Sequence, residues 1–243
     1  NPFNREKGKR LYHVLFSKTC LSILYIMGNV KKKIINPLHE KLDKPAIVIA
    51  NHQSFLDILL FTALSPKLIL LTNKRVWSSQ LLGAAIRMAD FYSVEGEAME
   101  DSGLNKVKQM VSKGYSVVIF PEGTRTNDGK IKRFHKGAFY LAEQLQMDIL
   151  PVILHGTGYT MTRKDLLLKD GTISAKYLPR IPVTDTRFGN TYSERTKQVS
   201  RYFKNEYEKL RQELEQPVYF KEQLIYNYLY KGPVLEWYMK VKI

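Results

Sequence analysis

The chain has 243 residues, 44% of them hydrophobic and 25% charged, values of an ordinary globular protein with a sizeable core rather than of a disordered or fibrous chain. Thirty-eight Lys and Arg against 23 Asp and Glu leave a net charge of +15, which favours an anionic partner: nucleic acid, an acidic membrane face or a phosphate-bearing substrate. Cys20 is the single cysteine, so neither an intramolecular disulfide nor a cysteine-based metal cluster can form, and its apolar surroundings predict inert burial.

At the N-terminus, residues 11–30 (LYHVLFSKTCLSILYIMGNV) come nearest to a membrane span, but Lys18 interrupts them. A spanning helix needs about 20 apolar residues in a row, and this segment falls short. Basic residues flank it, Arg5, Lys7, Lys9 and Arg10 before and Lys31 to Lys33 after. Such a helix can lie in a lipid interface, each cation near anionic head groups contributing about 1 kcal/mol. The other reading is a helix packed on the domain's own core with a solvated basic flank. Because the chain starts at Asn1, a domain cut from a longer polypeptide, with fused neighbours, is expected.

Beyond this segment, strand-like and helix-like runs alternate. Residues 46–50, 68–72, 91–94, 117–120 and 149–154 read as strands, several buried on both faces. Residues 55–64, 76–88, 98–113 and 136–145 read as helices. The alternation predicts an α/β fold with a mainly parallel central sheet flanked by helices. In such sheets ligands collect beyond the carboxyl ends of the strands, and the segments there are polar: NHQSFLD, PEGTRTNDGK and HGTGYT. Further on, Thr191 and Glu194 have capping-box spacing. They open a helix whose Val199, Tyr202, Phe203, Tyr207, Leu210 and Leu214 share one face. Pro217 ends it, and a tyrosine-rich tail follows. The expected organisation is a basic, apolar docking segment over 1–36, a core over 37–190 and a helical extension over 191–243.

Two loops carry chemistry. In NHQSFLD, Asp57 stands three residues after Ser54 and can simply cap the helix, with His52 a loop residue. Alternatively His52 and Asp57 fold back on one another. The carboxylate then fixes the imidazole tautomer and supports its positive charge, leaving the second nitrogen to take a proton from a hydroxyl. A general base of this kind contributes about 10²–10⁴-fold in rate. No nucleophile-elbow serine accompanies the pair, so the hydroxyl belongs to the substrate. In VVIFPEGTR, Gly123 allows close backbone approach and Arg125 presents a planar fork suited to phosphate. Lys130, Lys132, Arg133 and Lys136 follow. The plainer alternative is a turn with solvated charges. The Gly-Lys-Ser/Thr pattern of a nucleotide P-loop is absent.

Taken together, NHQSFLD and FPEGTR resemble the glycerolipid acyltransferase family, typified by 1-acylglycerol-3-phosphate acyltransferase. The likeness runs from about Ala46 to His155, with ILPVILHG similar to that family's fourth block. It implies that His52 is the general base and Asp57 its orienting partner. It also implies that Glu122, Gly123, Thr124 and Arg125 bind substrate, the arginine receiving a phosphate, and that Pro151 lies on the acyl-donor side. The implied reaction moves an acyl group from acyl-CoA or acyl-carrier protein, as co-substrate, to the hydroxyl of a lyso-glycerophospholipid, with no cofactor; no metal site is expected, since nothing offers carboxylate, His or Cys ligands at a usable spacing. The resemblance further implies a docking helical element at the N-terminus, an anionic membrane surface as partner, and a peripheral or monotopic place on the cytoplasmic face of the inner membrane.

One stretch departs from the pattern. DFYSVEGEAME places Glu95 or its neighbours where the family's second block carries an arginine, which favours a cationic or zwitterionic acceptor such as a lyso-aminolipid of the ornithine- or glycine-lipid type. A non-catalytic, lipid-binding domain of a larger protein is a further alternative, against which the intact His52 and Asp57 argue. Nucleic-acid binding has only the net charge in its favour, since no reader motif or zinc pattern accompanies it.

Overall fold

The computed structural model describes residues 2–73, 89, 92–94, 101–126, 128–162 and 168–215. The sequence expectations for a helix over 76–88, for Glu95 and for the tyrosine-rich tail lie outside the described residues. In chain order the elements are α1 (Pro2–Ile26), β1 (Val30–Ile35), β2 (Ile47–Ala50), α2 (Leu56–Leu64), β3 (Leu68–Asn73), β4 (Tyr92–Val94), α3 (Asp101–Ser112), β5 (Ser116–Ile119), α4 (Gly137–Gln144), β6 (Ile149–His155), α5 (Thr157–Thr160), β7 (Gly171–Tyr177) and α6 (Tyr192–Leu214).

The strands form a seven-stranded sheet in the order β1-β7-β6-β2-β5-β3-β4. Neighbours pair in parallel except β6 with β7, which are antiparallel. The expected α/β architecture with a mainly parallel sheet is therefore the one observed. Strand β2 lies at the centre and every residue of it is buried, which is why IVIA reads as an unbroken apolar run. Its side chains alternate between two cores. Ile47 and Ile49 join Phe139 of α4 and Val199, Phe203 and Leu210 of α6 on one face. Val48 and Ala50 join Leu24 of α1 and Leu60 and Phe61 of α2 on the other.

The helices begin and end where their residues dictate. Helix α2 stops at Leu64 because Ser65 precedes Pro66; that position is forced out of the helical region and is extended at φ −160°, ψ 137°. Helix α6 opens on the reciprocal capping box expected from its sequence, Thr191 accepting from the Glu194 N–H and the Glu194 carboxylate accepting in return from the Thr191 N–H. In α1, His13, Ser17, Cys20 and Leu24 are buried at helical spacing, and burial pushes the Cys20 thiol up. Among the described residues no helix is long and apolar enough to cross a membrane.

Two strands, β1 and β7, escape the sequence reading. VKKKII carries three consecutive lysines, and a half-buried strand should alternate. It does not alternate because β1 is the outermost strand of the sheet, with residues 31–34 exposed on both sides. Strand β7, GTISAKY, is too mixed in polarity to stand out, yet Ile173, Ser174 and Ala175 are all buried between β1 and β6.

At the end of the sheet where β2 begins, Arg180 holds the preceding loop in place. Its Nε and a terminal nitrogen donate to Glu40 at 3.1 and 2.7 Å, and its guanidinium also reaches the Lys44 carbonyl. Hydrogen bonding from Arg180 is the main cause that holds the Glu40 carboxyl below its ordinary value of 4.5. A group lowered in this way contributes stability above its unfolded value and loses it as pH falls through the folded one. Arg180→Gln is expected to cost about 1.5–3 kcal/mol at pH 7. The difference between variant and parent in urea melts should shrink as the pH falls below that ordinary value; a difference independent of pH would assign the effect elsewhere.

Candidate active site

Strand pairing brings the two chemical loops together. Strands β2 and β5 are parallel neighbours with Ile49 opposite Ile119, so the residues leaving β2 at Asn51 and His52 run beside those leaving β5 at Pro121 and Glu122. Both loops leave from the carboxyl ends of central strands, where open α/β sheets place their ligands.

Asn51 ends β2 by replacing a strand partner with a side chain. Its carboxamide donates to the Leu154 carbonyl and accepts from the Leu154 N–H, both at 2.8 Å, so the β2–β6 ladder is satisfied while the main chain turns away. The turn is then closed by Asp57 in the first turn of α2. Asp57 Oδ2 accepts from the backbone N–H groups of Gln53 and Ser54, at 2.7 and 2.8 Å, and lies 2.8 Å from His52 Nδ1. A carboxylate oxygen can only accept, so the proton sits on Nδ1 and the lone pair on Nε2. Asp57 therefore ties the turn that leads into α2 to the His52 ring, while the N-cap position itself, Phe55, has no side-chain cap.

Contacts on its face and along its backbone fix His52 further. Its ring stacks on Phe120, centroids 4.1 Å apart and planes 16° from parallel, and Phe120 in turn meets Phe61 edge-on. An aromatic face favours positive charge lying over it, so Phe120 supports the imidazolium that proton uptake would create. The His52 backbone N–H donates to Glu122 Oε1 at 2.9 Å, and its carbonyl accepts from the Thr126 N–H. The side chain is 14% exposed, against 0% for Asp57. The carboxylate is thus fully buried behind a partly exposed imidazole.

The second loop is held by the residue expected to touch substrate. Glu122 is 3% exposed, and its two oxygens accept from the backbone N–H groups of His52 (2.9 Å) and Lys132 (2.7 Å). Burial pushes its carboxyl above the usual range, although these hydrogen bonds and the nearby His52 and Lys132 oppose the shift. In this structure Glu122 braces both loops. Gly123 has φ +67° and faces the His135 ring, so a side chain there would strain the backbone. Thr124 is exposed and Arg125 half-buried, among the exposed Lys130, Lys132, Arg133 and His135. Pro151 lies elsewhere, buried inside β6 and level with Ile49, three residues short of His52.

A polar cluster behind these loops was not legible as a unit. Gln53 Nε2 donates to the Tyr207 hydroxyl, which donates to the Gly129 carbonyl. Glu215 accepts from Arg211 and Tyr159 and lies 2.9 Å from His155 Nε2. Burial alone would raise the Glu215 carboxyl, but hydrogen bonds from Arg211, His155 and Tyr159 outweigh it and hold it below the usual range. Burial likewise lowers His155. In the sequence Tyr207 shows only as one more residue on the apolar face of α6.

The Acyltransferase family model matches residues 29–155, just over half of the chain and the whole span from β1 to the end of β6. The chain belongs to the glycerolipid acyltransferase family. Among its relatives are the chloroplastic 1-acyl-sn-glycerol-3-phosphate acyltransferases LPAT1 of Arabidopsis thaliana, 30% identical over 68% of this chain and 47% of the relative, and BAT2 of Brassica napus, 32% identical over 69% and 50%. The human beta enzyme of the same name is 27% identical over 67% and 60%. The chain thus spans about half the length of the curated relatives it matches. The crystal structure of the 1-acyl-sn-glycerophosphate acyltransferase PlsC from Thermotoga maritima superposes with a TM-score of 0.65, covering 85% of this chain and 83% of that one at 22% identity. The likeness establishes a common fold.

Replacing Glu122 by Gln tests the brace. A carboxamide has one oxygen with which to accept, so either His52 N–H or Lys132 N–H must lose its partner. The variant is expected to be about 1–3 kcal/mol less stable in thermal or urea melts. An unchanged midpoint would mean that the carboxylate does not hold the loops.

Proposed function

We propose that the protein is a membrane-associated O-acyltransferase that moves a fatty acyl group from acyl-CoA or acyl-carrier protein to the free hydroxyl of 1-acylglycerol-3-phosphate. The observation that carries this reading is the 2.8 Å contact between His52 Nδ1 and Asp57 Oδ2, which leaves the lone pair of Nε2 to act as the base. The neighbouring hydroxyl of Ser54 is spent on the Met161 carbonyl. His52 Nε2 takes the proton of the acceptor hydroxyl as its oxygen attacks the thioester carbonyl carbon. The tetrahedral intermediate collapses with cleavage of the C–S bond, and the departing sulfur takes the proton from the imidazolium. The products are the new ester and a free thiol. Asp57 stabilises the imidazolium throughout without itself becoming protonated.

Charge supports this choice of acceptor. Arg125 and the cations of residues 130–136 offer an anionic group a place beside the base, and the names of the relatives point to the same phosphate-bearing acceptor. The lyso-aminolipid alternative rests on Glu95 alone.

Release of thiol from acyl-CoA is expected to depend on lysophosphatidic acid, and to exceed the release seen with any lyso-aminolipid. His52→Ala should reduce it by about 10²–10⁴-fold. Equal release by parent and variant would remove His52 from the mechanism, and faster release with a lyso-aminolipid would transfer the acceptor assignment to that class.

For membrane attachment we propose an anionic lipid surface on the cytoplasmic face of the inner membrane, engaged from one side. The support is the outward face of α1, where Leu11, Leu15, Leu21, Tyr25 and Ile26 are 53–84% exposed, next to the exposed Lys18 and Lys31 to Lys33. This face is mixed, with Lys18, Thr19 and Ser22 exposed among the apolar side chains, and exposed apolar groups interspersed with cations suit an interfacial helix. The protein is expected to float with vesicles containing phosphatidylglycerol. Leu11→Ser combined with Leu15→Ser should weaken that binding about tenfold or more, since each buried leucine contributes about 1.5–3 kcal/mol. Undiminished flotation would place the contact elsewhere.

A further inference from the structure

We propose that Tyr207 is a positioning residue that sets the spacing between the base and the cation-bearing loop, and through it the preference for a phosphate-bearing acceptor; this rests on the acceptor reading above. The Tyr207 ring is 1% exposed and belongs to the core beneath α6, a place a phenylalanine would fill equally well. The hydroxyl is the feature to explain. It accepts from Gln53 Nε2 at 2.6 Å and donates to the Gly129 carbonyl at 2.8 Å, so one oxygen joins the two loops that carry the chemistry.

Each end of this bridge has a direct route into the site. Gln53 follows His52, and its backbone N–H is one of the three groups that Asp57 Oδ2 accepts. Its side chain is confined by Gly158, where a Cβ would come within 3.1 Å of Gln53 Cβ. Gly129 lies between Arg125 and the basic run that begins at Lys130. It has φ +70°, and a Cβ there would lie 3.6 Å from the Tyr159 hydroxyl. The roots of both loops are fixed by β2–β5 pairing, Glu122 and the Thr126 N–H to His52 carbonyl bond. The span around residue 129 lies between the Thr126 and Lys132 anchors, and Tyr207 fixes how far it stands from His52. That separation must match the distance from the reacting hydroxyl to the phosphate of the acceptor. A misplacement of about 1 Å at such a contact can cost on the order of 10²-fold.

The test compares Tyr207→Phe, Gln53→Leu and the double variant with the parent, using acyl-CoA with either lysophosphatidic acid or monoacylglycerol, which lacks the phosphate. In Tyr207→Phe the KM for lysophosphatidic acid should rise about tenfold or more, and the preference for it over monoacylglycerol should fall by a similar factor. Gln53→Leu should act in the same direction, and the double variant should be no worse than about the poorer single one, because both changes cut one bridge. A purely structural role would lower the melting midpoint and slow both acceptors alike. If the preference between acceptors is unchanged in Tyr207→Phe, or if the two single effects multiply in the double variant, the proposal is overturned. If the parent shows no release dependent on lysophosphatidic acid, it is the underlying acceptor reading that fails.

Discussion

The site depends first on the parallel pairing of β2 with β5. Neither loop has chemistry alone: an imidazole with a carboxylate needs an oriented substrate, and a cluster of cations needs something to do with the anion it attracts. With Ile49 opposite Ile119, two segments far apart in sequence leave the sheet side by side. Glu122 then secures the junction, one oxygen for each loop. A slip of one residue in this register would turn the side chains of one strand to the other face of the sheet, and the two fully occupied cores forbid it.

Within the β2–α2 loop, one oxygen atom performs both a folding and a chemical task. The N–H groups of Gln53 and Ser54, just ahead of α2, would lose their acceptor without Asp57 Oδ2, and the His52 ring would lose its contact at Nδ1. Because the same atom serves all three groups, the His52 ring is placed by the same turn that leads the chain into α2.

Much of this was readable in advance, for physical reasons that differ by residue. The central strands declare themselves because burial on both faces demands continuous apolar runs, and the start of α6 because a capping box needs Thr191 and Glu194 three apart. His52 and Asp57 are legible because their partnership spans five residues and a single turn. Strand β1 was hidden, since an edge strand answers to solvent on both faces and carries lysines that resemble a flanking charge cluster. Glu122 sits within a recognisable motif, yet its bonds go to backbone groups that no sequence pattern reveals. Tyr207 was legible only as apolar surface, because its hydroxyl meets partners 154 and 78 residues away.

The outermost strand has a further bearing on how copies of this protein behave when crowded. An unpaired row of main-chain N–H and C=O groups is a template onto which another chain can add. On β1 that row is carried by Lys31, Lys32 and Lys33, all exposed. A second molecule bringing the same border alongside would have to oppose three ammonium groups with three more. Among the described residues the sheet ends at β1, and mutual repulsion guards that border against growing from one molecule into the next.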